Sequence, residues 1–270
     1  MKTRANGQDD EQHRLAVLID ADNAQPIVIE ALLAEVARYG VASVKRIYGD
    51  FTSNQQTQWK KVLLKHSIQP MQQFAYTSGK NATDSSLIID AMDLLYTGRF
   101  QGFCLVSSDS DFTRLAQRLR ESGMTVYGFG EKKTPDPFVQ ACDKFLYTEV
   151  LRSEASVEPI VPMPAVKPEA ETSAVAAAPG ALVATPNPQT PAKPPFDVIR
   201  QAIEDASDDE GWARLAAVGA YINKIRSDFD PRLYGKKKLS DLLRQYPKRY
   251  GLQDRGTPGH AKVLYVRALD

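Results

Sequence analysis

The feature that most constrains this chain is the regular alternation, between residues 15 and 149, of short β-branched runs with amphipathic stretches. LAVLID (15–20), VASVKRIYG (41–49), IQPMQQFAY (68–76), GFCLVSS (102–108) and MTVYGFG (124–130) have the composition of strands. PIVIEALLAEVARY (26–39), QTQWKKVLLKH (56–66), DSSLIIDAMDLLY (84–96) and DFTRLAQRLRES (111–122) carry apolar residues at helical spacing, and a shorter helix is expected over 136–143. Strand and helix in turn demand βαβ crossovers, which predicts an α/β fold with a mostly parallel sheet flanked by helices.

The rest of the chain differs in kind. Residues 1–13 form a polar arm, and 14–152 make the α/β domain. Over 153–195 fall ten of the 17 prolines, among Ala, Val, Thr and Glu without a usable period, which predicts an extended linker that sets no fixed geometry between its neighbours. Residues 196–270 then give helical patterns at FDVIRQAIEDA (196–206), WARLAAVGAYINKIR (212–226) and KKLSDLLRQYP (237–247). A strand VLYVRAL (263–269) pairs with one near 250–253, together a small winged helix-turn-helix domain. No apolar run approaches the roughly 18 residues of a membrane span, so no membrane partner and a cytoplasmic location are expected. Cys104 and Cys142 have neither metal-ligand spacing nor the look of a disulfide framework, and read as buried thiols.

In an open parallel sheet, ligands gather beyond the carboxyl ends of the strands. The first strand ends in LIDADN, with Asp20 at its tip and Asp22 and Asn23 in the loop; the fourth ends in SSDSD, with Asp109 and Asp111 in equivalent places. Asp84 opens the helix before that strand. Asp90, six residues on, is rotated by about 120° and advanced by about 9 Å, which leaves it a supporting candidate beside Asn23 and Ser107. Any one of these aspartates could be a helix cap, but capping does not ask for convergence. Carboxylates that converge repel one another unless a cation lies between them, and an all-oxygen set suits Mg²⁺ or Mn²⁺ rather than zinc. A dication there would attract phosphate and activate water, the chemistry of a metal-dependent nuclease.

LIDADN, GKNATDSSLIIDAMDLLY and LVSSDSDF, in that order over residues 14–150, resemble the NYN domains of the PIN-like nuclease superfamily, in their bacterial LabA-like branch. The resemblance implies a Rossmann-like sheet and metal-dependent RNA cleavage, with the acidic metal and catalytic set at Asp20, Asp84, Asp109 and Asp111 and with Asn23 as a polar neighbour. One departure is Ser108, where many members carry glycine. PIN-like domains often pair, so a homodimer is among the implied partnerships. Residues 196–270, through FDVIRQAI, LSDLLRQYP, Lys248, Arg249 and VLYVRAL, resemble an OST-HTH or LOTUS domain, a module associated with RNA binding or protein contacts.

Lys and Arg (34) almost cancel Asp and Glu (33), so an RNA partner has to be held by local basic patches. Lys80, on the loop leading to Asp84, is the first candidate, followed by Lys45, Arg46, Lys61 and Lys65 in the first domain. In the second, Lys237, Lys238, Lys248 and Arg249 are interleaved with Tyr234, Tyr246 and Tyr250, as single-stranded nucleic-acid sites are. His13, His66 and His260 have no poised Ser or Cys beside them, and no P-loop is present. The leading expectation is a ribonuclease acting on single-stranded RNA. A catalytically silent RNA-binding adaptor is the alternative. A phosphatase of the haloacid dehalogenase type, suggested by Asp20 and Asp22, is disfavoured by Asn23.

Overall fold

The computed structural model describes residues 13–52, 58–74, 82–155, 193–255 and 263–269. Its first domain has six strands, β1 (Arg14–Asp20), β2 (Val41–Gly49), β3 (Gln69–Gln72), β4 (Gly102–Val106), β5 (Thr125–Gly130) and β6 (Lys144–Tyr147). They form one parallel sheet in the order β3-β2-β1-β4-β5-β6. The direction of winding reverses between β1 and β4, which makes their carboxyl ends the switch point where such sheets bind ligands. Leu15 to Ile19 are all fully buried because helices cover both faces, and Leu15, Val17, Leu18 and Ile19 each contribute about 1.5–3 kcal/mol of transfer free energy.

One face is packed by α1 (Ile29–Val36), α2 (Trp59–His66) and α6 (Thr148–Ala155), through Leu32, Trp59, Leu63 and Leu151. The other is packed by α3 (Ala82–Tyr96), α4 (Thr113–Glu121) and α5 (Asp136–Ala141), through Leu87, Ala91, Leu115, Leu119 and Phe138. Strand β6 and helix α6 were not anticipated from the sequence. KFLY is only four residues long, and its Phe145 and Leu146 are buried in opposite layers, so no alternation marks it as a strand. Cys104 and Cys142 are free and buried, and burial pushes both thiols up from their ordinary range.

The second domain packs α7 (Phe196–Ala206), α8 (Leu215–Ile225) and α9 (Leu239–Arg244) against an antiparallel sheet of β7 (Ala213–Arg214), β8 (Tyr250–Arg255) and β9 (Val263–Ala268), in the order β7-β9-β8. Ile199, Ile203, Val218, Ile222, Leu242, Leu243 and Val266 form its core. The β8–β9 pairing follows the sequence expectation; β7, two residues long, gave no readable signal.

The second domain is seated on the β6 edge of the first. An edge strand presents unpaired backbone groups. Here the Phe145 N–H donates to the Ser227 carbonyl at 2.8 Å, and the Ser227 hydroxyl donates to the Val139 carbonyl at 2.8 Å. The Tyr147 hydroxyl donates to Asp228 at 3.2 Å. Arg232 lies 2.7 Å from Asp230 of its own domain and 3.1 Å from Glu35 at the end of α1. Glu35 is 6% exposed and Arg232 12%, so this ion pair is largely withdrawn from water. Burial opposes the charge on Glu35, but the hydrogen bond and charge of Arg232, the Tyr39 hydroxyl and the charge of Arg38 together outweigh it and hold the carboxyl below its usual value. Replacing Arg232 by Met leaves the buried Asp230 carboxylate without its guanidinium and Glu35 with only the more exposed Arg38. Urea denaturation of the full chain is expected to show a loss of about 3 kcal/mol, whereas a change within experimental error would show that the pair does not hold the domains.

Candidate metal centre

Strand periodicity decides where the acidic residues point. Along β1, Ala16 and Leu18 face the α3–α4 layer, and Asp20 continues that parity. Along β4, Phe103 and Leu105 face the same layer, and Ser107 continues the series. Because Ile19 is in register with Val106, Asp20 and Ser107 meet as the strands end, and the serine hydroxyl donates to Asp20 Oδ2 at 2.8 Å. Asp20 is fully buried, and two other donors reach it, Asn23 Nδ2 at 2.7 Å and the Asp22 N–H at 3.0 Å. Such a carboxylate is held by its partners in one orientation.

Ser107 also accepts from the Asp109 N–H at 3.1 Å, so one hydroxyl fixes Asp20 and the start of the acidic loop together. Asp109 in turn accepts from the Asp111 N–H at 2.9 Å and caps the short 3-10 turn Ser110–Phe112. Capping therefore falls on Asp109, while Asp111 is exposed in the first turn. The Ser108 hydroxyl accepts from the Glu131 N–H at 2.8 Å, tying the loop after β4 to the loop after β5. Gly130 is required beside it, since a Cβ there would lie 2.6 Å from the Ser107 carbonyl oxygen.

Asp84, in the first turn of α3, completes the group. One carboxylate oxygen from each of Asp84, Asp109 and Asp111 lies within 4.8 Å of the others, a spacing that a single ion can bridge. Burial pushes Asp84 up to about 6, and the negative charges of Asp20, Asp109, Asp111 and Asp22 push in the same direction. Asp20 is thus close enough to be felt, although it is not one of the three residues whose oxygens lie within 4.8 Å of one another. The donor set is hard oxygen throughout and fits Mg²⁺ or Mn²⁺.

Asp90 is turned away from this cluster. It pairs with Arg46 and accepts from the Tyr48 hydroxyl, both on β2, and so anchors α3 to the sheet. Arg46 is therefore engaged within the fold, and Lys45 Nζ donates to the His66 carbonyl. Lys65 pairs with Glu30 at 2.6 Å, and Lys61 is exposed on α2, whose Trp59 is a core residue. Lys80 lies outside the described residues. In the second domain Lys237, Lys238 and Lys248 are exposed, and the Arg249 guanidinium sits 4.7 Å over the Phe196 ring. Tyr250 is buried, and Tyr246 packs edge-on against Phe196, so both serve the core. The Tyr48 partnership and the Arg232 ion pair were missed, since each joins residues far apart in sequence.

Repulsion at Asp84 has a measurable consequence. With its folded pKa raised to about 6 from 3.8, the charged form is disfavoured in the native state, so the destabilisation is present above pH 6 and disappears as pH falls through 6 toward 4. In EDTA at pH 8, Asp84→Asn is expected to stabilise the protein by about 1–2 kcal/mol after allowance for solvent screening, with the gain vanishing near pH 4. Thermal denaturation at the two pH values checks this, and a variant less stable than the parent at pH 8 contradicts it.

Among the described residues no helix is long and apolar enough to cross a membrane. No curated protein matches the chain significantly. Among solved structures, an uncharacterised protein of Nitrosomonas europaea, determined by solution NMR, is similar at 39% identity. The match covers 36% of this chain and 91% of that one, with a TM-score of 0.28. A protein of unknown function from Vibrio parahaemolyticus is similar at 19% identity over 52% of this chain and 94% of its own, with a TM-score of 0.44. The model of the NYN domain matches residues 14–151, and that of the OST-HTH/LOTUS domain matches residues 190–261. With its six-stranded PIN-like α/β sheet and acidic switch point, the chain belongs to the NYN domain family and carries a C-terminal OST-HTH/LOTUS domain.

Proposed function

We propose that the protein is a metal-dependent endoribonuclease that hydrolyses phosphodiester bonds of single-stranded RNA. The observation that supports this most is the convergence of Asp84, Asp109 and Asp111 within 4.8 Å, brought from two different elements to the switch point of a nuclease-superfamily sheet. Membership of the NYN family and the presence of a module associated with RNA binding give the reaction its direction.

In this reading Asp84, Asp109 and Asp111 hold Mg²⁺ or Mn²⁺, with Asp20 as the fourth acidic member of the site. The dication, when bound, polarises a phosphodiester and brings the pKa of a coordinated water toward neutrality. The chain's own residues set the frame. Ser107 and Asn23 hold Asp20 in one orientation, and Ser107 also fixes the backbone at Asp109. The ion pair of Asp90 with Arg46 keeps α3 in place and so positions Asp84. Because the acidic residues come from β1, α3 and the loop after β4, no single local unit makes the site, and it forms only in the folded sheet.

End-labelled single-stranded RNA incubated in Mn²⁺, Mg²⁺ or EDTA, with the parent protein and with Asp109→Asn, tests the proposal. Cutting is expected only with metal and only by the parent. Ser107→Ala, which leaves every acidic residue in place, is expected to lower the rate roughly 10–100-fold, as outer-sphere partners of metal sites do. Cutting by Asp109→Asn at the parental rate, or parental cutting that persists in EDTA, would overturn the assignment.

A further inference from the structure

A cleft of about 850 Å³ opens between the two domains, at the β6 edge and away from the acidic residues at the ends of β1 and β4. Arg38, Tyr39 and Lys144 line it from the first domain, and Arg232, Lys236 and Lys237 from the second. Five cationic side chains thus face two carboxylates, Glu35 and Asp230. Both carboxylates are already committed: Arg232 bridges them at 3.1 and 2.7 Å, and Glu35 also takes Arg38 at 3.1 Å. Lys144, Lys236 and Lys237 form no ion pair among the described residues.

Lys144 is the informative member. It is half-buried, its ammonium stands 5.9 Å from the centre of the Tyr39 ring, and that ring is stacked on Tyr127 at 4.5 Å and cannot move aside freely. Burial holds the Lys144 ammonium below its ordinary pKa, and the charges of Asp230 and Glu35 only partly offset this. A cation that has lost water without gaining a direct anionic partner is one that a bound anion would complete. The cleft has the size of pockets that enclose drug-sized ligands, roughly 300–1,000 Å³, and so has room for more than one phosphate.

We propose that this cleft binds the phosphodiester backbone of an RNA strand, through Arg38 and Lys144 of the first domain and Lys236 and Lys237 of the second. The ligand chemistry is a phosphate ester. A strand is favoured over a mononucleotide because the cations are spread over both walls, beyond what one phosphate neutralises. The choice of RNA rests on the reading of the protein as a ribonuclease. In this arrangement the docked second domain supplies one wall of the cleft and holds RNA at the edge of the sheet.

The test is binding of fluorescein-labelled single-stranded oligouridylate to the full chain in EDTA, followed by anisotropy over a series of salt concentrations. EDTA separates this proposal from the nuclease reading, since binding is then read without cutting; a protein that binds here in EDTA and still does not cut when Mn²⁺ is restored keeps the first and loses the second. Lys144→Gln and Lys237→Gln are each expected to weaken binding roughly three- to tenfold and to reduce the slope of log K against log salt by about 0.7. Lys144→Arg, which keeps the charge, is expected to bind as the parent does, which distinguishes a phosphate contact from a folding defect. An unchanged affinity and slope for Lys144→Gln would overturn the proposal by confining RNA to the second domain. Competition by uridine monophosphate as effective as that by unlabelled oligouridylate would overturn the strand in favour of a mononucleotide.

Discussion

Carboxylates a few ångströms apart repel one another, and the first domain is built to hold several of them together. Asp84 shows the cost directly, its pKa pushed up to about 6 by burial and by four neighbouring aspartates. What offsets that cost is the frame: a sheet buried on both faces, a hydroxyl that bridges two strand ends, and an ion pair that fastens α3 to β2. A fold that gained nothing from these charges would do better with asparagine or serine, which cap the same turns without repulsion. A hard dication among these oxygens would offset the repulsion, which is why the proposed function places one there.

The second domain belongs to the same economy of charge. Docking on β6 covers part of an edge strand, and the Ser227 carbonyl supplies the acceptor that the Phe145 N–H lacks within the sheet. Arg232 then satisfies one carboxylate from each domain. The surplus of cations left around the cleft has the opposite sign to the acidic centre, so one end of the domain suits metal and the other suits phosphate. The proposed ribonuclease reading calls for both, since it brings a polyanion to a carboxylate site.

Much of this was legible in the sequence because it is periodic or local. The alternation of strand and helix gave the sheet, and the DAD and DSD stretches at strand ends gave the acidic edge, where Asp84 groups with Asp109 and Asp111 while Asp90 pairs with Arg46. The parts that were not legible depend on register and on long-range contact. Nothing local tells Ser107 that it will stand opposite Asp20, or Asp90 that Arg46 and Tyr48 await it one strand over. KFLY is too short to declare itself, and its role as the docking edge depends on Ser227, 82 residues beyond Phe145. Composition suggested a loose tether between the domains, but composition says nothing about whether the bodies at its ends fit together.

Everything proposed for the acidic edge requires that these carboxylates bind a cation. The most direct measurement is Mn²⁺ binding in the absence of RNA, by electron paramagnetic resonance of the free ion, for the parent protein and for Asp84→Asn and Asp109→Asn. The account predicts saturable binding by the parent and loss of that binding in both variants, with each variant still folded. Equal binding by all three proteins, or none by the parent, would contradict it.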